Sequence, residues 1–284
     1  MKKVVFIGNR VNVLKNIVET TDDFVLTKIF ALKDSFAHKY LETQNLEYEL
    51  FDIDNESKIR IFNFLLEENY DLLISNGCPF ILPIEKIKKN KPSIIALNIH
   101  PTYLPYLKGK TPLNGVFMLD YNFIGATVHY ISEGIDNGDI IYQKKIKITK
   151  DIDQGLIYMI SFDLEGEIFR RALHKLISNN FNYMGHKQIG KGSYFNRDTE
   201  IFKIDFDSDT TDTIVKKVNS VGMINLGVKI NIDNQIYTLH NAEPIINYYI
   251  LNKYKDSKAG TLLYKYSDKL LIKTKDGIIK CAFI

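Results

Sequence analysis

N-I-H-P-T-Y-L-P-Y-L-K-G-K-T-P (Asn98–Pro112) follows directly on the apolar run S-I-I-A-L (Ser93–Leu97), and this junction decides the fold. A buried strand here delivers Asn98 and His100 at its carboxyl end, with only Ile99 between them. Alternation along a strand puts both side chains on one face. Pro101 and Pro105 stiffen the exit loop, and Lys108-Gly109-Lys110 adds two cations near a flexible turn. Thr111-Pro112 reads as a helix start, with threonine at the N-cap and proline in the first turn. Downstream, the strand-like F-I-G-A-T-V-H-Y-I (Phe123–Ile131) runs into the acidic turn S-E-G-I-D-N-G (Ser132–Gly138), which carries Asp136. A carboxamide, an imidazole and a carboxylate at strand ends suffice for acyl-type transfer to an amine. They supply a donor for an oxyanion, a base, and a group that orients the base.

Upstream of this stretch the chain alternates. Val4–Ile7 is a short apolar run ending at Gly8, and Val13, Leu14, Ile17 and Val18 recur at helical spacing. Phe24–Leu32 reads as a strand, the segment to Leu46 as a helix, Tyr48–Ile53 as a strand, Lys58–Asn69 as an amphipathic helix and Asp71–Ile74 as a buried strand. Such alternation predicts an α/β fold: a doubly wound, mostly parallel sheet with helices on both faces. In such sheets the ligand crevice lies beyond the carboxyl ends of the strands. Asn9 and Arg10 sit at one of these ends, suited to an anion at a helix start or to a solvated turn. The turn G-N-R-V-N lacks the GxGxxG fingerprint of dinucleotide folds. S-N-G-C-P-F-I-L-P (Ser75–Pro83) occupies another end. An apolar loop there can line a slot for a flat heterocycle or tuck into the core. Cys78 within it reads as a small buried side chain.

The chain has 284 residues, which predicts one domain of about 150–200 residues and a smaller one. A helical segment runs from Asp151 to Asn179, and from about Tyr183 the character changes. G-H-K-Q-I-G-K-G-S-Y-F-N-R (Gly185–Arg197) is glycine-rich and basic, as in a linker or a loop folded back over a site. A helix over Thr210–Val221 follows, then short β-like runs with hairpin signals at Asp233-Asn234 and Asp276-Gly277. The expected division is therefore 1–182 for the main domain, 183–209 for a linker or loop, and 210–284 for a small β-rich C-terminal domain.

Basic and acidic side chains number 37 and 34, for a net charge of +3, so composition does not call for a polyanionic partner. The start, M-K-K-V-V-F-I-G, has four apolar residues in a row. A secretory core needs about 7–15 and a membrane span about 20, so a cytoplasmic protein without a membrane segment is expected. Two cysteines, Cys78 and Cys281, form no metal-ligand spacing, and no histidine pair matches HExxH, so no metal is expected. Neither GxSxG nor a P-loop occurs. Of the six histidines, His129 and His174 read as structural, and His100 differs through its company.

That company is N-x-H-P, L-P, K-G-x-T-P, G-A-T-V-H and I-D-x-G-D, in this order between Asn98 and Asp139. The series resembles the formyltransferase family, whose members carry a formyl group from N10-formyltetrahydrofolate to an amine. The resemblance spans about Val4 to Asn180. It implies a formyltransferase-type, Rossmann-like core with Asn98, His100 and Asp136 as the catalytic trio. It further implies that Pro79, Phe80, Ile81 and Leu82, with Ser132, Glu133, Gly134 and Ile135, hold the pterin largely through backbone groups. The trio then works as chemistry requires: an imidazole of ordinary pKa about 6.5 takes the amine's proton, and Asn98 steadies the oxyanion.

Among formyltransferases the chain is most similar to those that act on an amino-dideoxy sugar carried by a nucleoside diphosphate, in lipopolysaccharide or O-antigen synthesis. It lacks the GNGSN-type turn of the glycinamide ribonucleotide enzymes and the basic insertion of the methionyl-tRNA enzymes. Asn9, Arg10, Lys108 and Gly109 are the candidates for holding that nucleotide, Lys108 standing where many relatives have arginine. A homodimer is expected, without membrane or nucleic-acid partners. A methionyl-tRNA formyltransferase is the alternative, and a non-catalytic folate- or nucleotide-binding module is the alternative of another class. An intact trio argues against the last, because binding alone does not need it.

Overall fold

Val4, Val5, Phe6 and Ile7 are all fully buried, which requires a central strand covered on both faces. In the computed structural model, which describes residues 1–20, 24–223 and 225–284, that strand is β1 (Lys2–Gly8). The chain continues through α1 (Val11–Glu19), β2 (Phe24–Leu32), α2 (Phe36–Leu41), β3 (Glu49–Phe51), α3 (Asn55–Glu67), β4 (Leu72–Asn76), α4 (Ile84–Asn90) and β5 (Ile95–His100). Then come α5 (Gly115–Met118), β6 (Phe123–Tyr130), β7 (Ile140–Lys147) and the long α6 (Gln154–Ser178). The seven strands form one sheet in the order β3-β2-β1-β4-β5-β6-β7. Pairing is parallel from β3 to β5, and β6 joins β5 antiparallel. This is the doubly wound, mostly parallel sheet that the alternation predicts.

Alternate residues of β1 face opposite layers. Val4 and Phe6 meet Val13, Leu14 and Ile17 of α1 and Leu164, Ile168 and Phe169 of α6. Val5 and Ile7 meet Ile61 and Leu65 of α3 and Ile84 and Ile87 of α4. Each such buried side chain stabilises the fold by about 1.5–3 kcal/mol, which is why this strand sits at the centre. Sheet order reverses between β1 and β4, so their carboxyl ends open the crevice where ligands bind in such folds. At Gly8 a Cβ would lie 2.0 Å from the Asn76 carbonyl oxygen, so only glycine lets the strand ends approach there.

Contacts divide the chain into two compact units. One comprises Met1–Lys110, Ile124–Ile146 and Met159–Tyr194, and the other Thr111–Phe123, Lys147–Tyr158 and Phe195–Ile284. The second unit holds α7 (Thr211–Ser220) and an antiparallel sheet of β8 (Val228–Ile232), β9 (Gln235–Pro244), β10 (Leu262–Tyr266), β11 (Lys269–Lys273) and β12 (Ile278–Phe283). A short helix, α8 (Tyr248–Lys253), lies between β9 and β10 in the chain. Asp233 and Asn234 both have positive φ, 51° and 61°, as a two-residue hairpin turn requires. Thr111 does not cap a helix. Pro112–Asn114 forms only a 3-10 turn, and the Thr111 hydroxyl instead accepts the backbone N–H of Arg197.

Candidate active site

Asn98 and His100 lie at the end of β5, and their register partners on β6 are His129 and Thr127. The turn after β6 returns Asp136 to them. Its Oδ2 stands 3.5 Å from His100 Nδ1 and accepts the Gly109 N–H at 3.1 Å. Its Oδ1 accepts Asn98 Nδ2 at 3.3 Å and lies 3.6 Å from His129 Nε2. His129 donates from Nδ1 to the Tyr130 carbonyl (2.8 Å), so its Nε2 accepts the second Asn98 N–H at 3.2 Å. His100 Nε2 donates to the Leu107 carbonyl at 2.9 Å, which leaves Nδ1 facing the carboxylate. Asp136 and Leu107 hold these contacts from left-handed backbone, with φ of 51° and 56°.

The electrostatics follow from this geometry. Burial pushes the Asp136 carboxyl up, but His100, His129 and the Gly109 N–H outweigh it and hold the group well below the usual carboxylate range. Burial pushes the His100 imidazole down, partly offset by Asp136 and the Leu107 carbonyl, with His129 and Arg10 adding to the lowering. A charged carboxylate therefore faces a neutral ring, and the gap between Nδ1 and Oδ2 accepts one proton. The arrangement differs from the simple sequence picture in one respect. Both amide hydrogens of Asn98 and both ring nitrogens of His100 already meet protein groups: Asp136 and His129 take the amide, and Asp136 and the Leu107 carbonyl take the ring.

At the crevice between β1 and β4, Arg10 meets a residue that the sequence reading passed over. Its guanidinium pairs with Glu165 of α6 and stacks on Phe162, 4.4 Å from the ring centroid. Glu165 is fully buried, and burial lifts its carboxyl to about 7 despite Arg10 and Asn76. Helical spacing was the available signal, since Ile157, Ser161, Glu165, Ile168 and Ala172 share the buried stripe of α6. Asn9 Oδ1, Asn76 Oδ1 and Glu165 Oε2 are buried with no hydrogen-bond partner among the described residues. Asn9 itself crowds Gly77, whose Cβ would meet Asn9 Oδ1 at 2.0 Å.

Lys108 is almost fully buried; its ammonium bonds Asn137 Oδ1 and lies 5.6 Å over the Tyr194 ring. Burial pushes its pKa down, against the pull of Asp136. It thus faces the Asp136 turn, and Gly109 contributes its N–H to the same carboxylate. In Pro79–Leu82 the side chains part company. Phe80 stacks against Phe51 and Phe62, Leu82 is buried, and Ile81 is 74% exposed. The loop is thus tucked inward at Phe80 and Leu82 and exposed at Ile81. In Ser132–Ile135, Gly134 has a φ of 81° and Ile135 is 43% exposed. Among the described residues no group of three or more His, Cys, Asp or Glu side chains could hold a metal ion. No helix among them is long and apolar enough to cross a membrane.

The model of the Formyl transferase family matches residues 11–173. A methionyl-tRNA formyltransferase of Carboxydothermus hydrogenoformans is 22% identical over 61% of this chain, a match that spans 58% of the relative's own length. An N-formyltransferase from Helicobacter canadensis, solved with folinic acid and dTDP-3-aminofucose, superimposes with a TM-score of 0.70 at 20% identity, covering all of both chains. WlaRD, a sugar 3N-formyl transferase solved with dTDP and 5-N-formyl-THF, also gives 0.70 at 20% identity, covering 100% of this chain and 98% of its own.

Proposed function

The chain belongs to the Formyl transferase family, and from that premise we propose that it transfers a formyl group from N10-formyltetrahydrofolate to the amine of a nucleotide-linked amino-dideoxy sugar. One observation carries the reading: Asn98, His100 and Asp136 converge at the carboxyl end of β5 around a gap that takes one proton. Bound reduced folate supplies the activated formyl carbon. The protein's groups do the rest. As the amine's lone pair forms the new C–N bond, the proton it sheds goes to the His100 Nδ1–Asp136 Oδ2 pair. Asn98 exchanges its 3.3 Å bond to Asp136 for the developing oxyanion, a donation typically worth about 3–4 kcal/mol. The donated proton then leaves on the departing nitrogen as the old C–N bond breaks, which restores the pair. Ile81, Ile135 and the backbone of Pro79–Leu82 and Ser132–Ile135 hold the pterin.

Fold likeness over the whole chain to two sugar N-formyltransferases supports a sugar acceptor, whereas the methionyl-tRNA relative matches over only 58% of its own length. The substrate-holding residues are Asn9, Arg10, Lys108 and Gly109, acting as a homodimer in the cytoplasm for lipopolysaccharide or O-antigen synthesis. The test offers N10-formyltetrahydrofolate with a panel of nucleoside-diphosphate amino sugars and, in parallel, charged methionyl-tRNA. A mass gain of one formyl group on a sugar nucleotide is expected. Formylation of the tRNA alone, or binding of folate without any turnover, overturns the proposal.

A further inference from the structure

The segment Tyr183–Tyr194 lies outside the stretch matched by the family model, yet it touches the backbone on both sides of the trio. It first pairs with the strand that follows the Asp136 turn: Ile140 and His186 exchange hydrogen bonds of 2.8 and 2.9 Å, and Lys187 pairs with Asp139 at 3.0 Å. Gln188 Nε2 then donates to the carbonyls of Asp136 (2.7 Å) and Gly138 (2.9 Å). At its far end, Ser193 Oγ accepts the Leu107 N–H (2.9 Å), its backbone carbonyl accepts the Lys108 N–H (2.8 Å), and its own N–H reaches the Pro105 carbonyl (3.2 Å).

These attachments are not spread evenly. Two residues held directly, Asp136 and Leu107, are non-glycine residues in left-handed backbone. Each presents one of the two groups that fix the His100 ring, the carboxylate at Nδ1 and the carbonyl at Nε2. Aspartate tolerates left-handed backbone readily, whereas at Leu107 it persists only where its surroundings enforce it. The Asp136 turn closes tightly at Gly138, where a Cβ would lie 1.6 Å from the Tyr130 carbonyl oxygen, so only glycine fits there.

We infer that Tyr183–Tyr194 is a strap that orients the His100–Asp136 pair, with Gln188 and Ser193 as positioning residues that act through the backbone of Asp136 and Leu107. The role rests on the formyl-transfer reading, because it assigns the strap's purpose to that reaction. A strap of this kind governs the rate of the chemical step and leaves substrate affinity nearly untouched. Displacement of a reacting group by about 1 Å is enough to cost about a hundredfold in rate.

The test uses Gln188→Met, which keeps length and removes both donors, Gln188→Glu, which sets oxygens against two carbonyl oxygens, and Ser193→Ala. For each, kcat, KM for both substrates, the pH profile of kcat, thermal unfolding and the ring-nitrogen NMR shifts of His100 are measured in the full chain. Gln188→Met and Ser193→Ala are expected to lower kcat about tenfold or more with KM little changed, with Gln188→Glu the most severe. The His100 nitrogen shifts are expected to move in each folded variant. Wild-type kcat and unmoved His100 shifts in Gln188→Met and Ser193→Ala overturn the strap, as does a loss of kcat that merely tracks the unfolded fraction. If the wild-type protein formylates no acceptor, the functional reading fails instead, and the His100 shifts still decide whether the strap holds the ring.

Discussion

Replacing Glu165 with glutamine tests the most unusual charge in the molecule. The carboxyl is fully buried against Arg10, with Oε2 unpartnered, and burial lifts it from the ordinary 4.5 to about 7. The sign follows from linkage. Between those two values the unfolded chain has released its proton and the folded one has not, so stability falls as pH rises through the window. At about 1.4 kcal/mol per pH unit, the displacement from 4.5 to about 7 corresponds to about 3 kcal/mol, most of it lost between pH 5 and pH 8. Glutamine keeps the shape and cannot ionise, so it lacks this slope. Urea unfolding followed by far-ultraviolet circular dichroism at several pH values measures it for both proteins. The second unit's own titration cancels in the difference between them. The wild-type free energy, relative to Glu165→Gln, is expected to drop by about 2–3 kcal/mol from pH 5 to pH 8. A difference that stays flat, or that rises with pH, refutes the reasoning and implies that Arg10 fully compensates the buried charge.

Three further outcomes are expected. His100→Ala and Asp136→Ala should each retain the circular dichroism of the fold while kcat falls about a hundredfold or more, and near wild-type turnover in either breaks the trio. Ile81→Asp, at a side chain that is 74% exposed, should raise KM for the formyl donor about tenfold with kcat unchanged, whereas an unaltered KM removes Ile81 from the pterin wall. Cys281 is fully buried, which pushes its thiol up to about 12, so in a Cys78→Ser background it should not react with a thiol reagent at pH 8 until the protein is unfolded. Rapid stoichiometric labelling of the native protein counts against that burial.

How far the sequence reaches depends on the range of the interaction. Period-2 and period-3.6 patterns are written locally, so β2 occupies the run Phe24–Leu32 that the sequence picks out, and the mostly parallel sheet follows from the order of β1 to β5 with the helices between them. Asn98 and His100 share a face because they are two apart on one strand, and that also needs no knowledge of the fold. Other features come only from elements that are distant in the chain. His129 reads as an ordinary strand histidine until β6 pairs with β5 and sets it against Asn98. Arg10 reads from sequence as a cation at a helix start, and only the fold shows that Glu165 of α6 shares its charge. Lys108 reads from sequence as a cation near a flexible turn, and only the fold shows it enclosed by the Asp136 turn and Tyr194.

By itself, then, the sequence determined the α/β class, the residues at the end of β5 and the acid in the turn after β6. The tertiary structure alone decided which charges are neutralised, which hydrogens of the trio are already spent, and which later segment grips it. The reason is physical: backbone periodicity acts over a few residues, whereas burial and charge pairing depend on groups that fold together from anywhere along the chain.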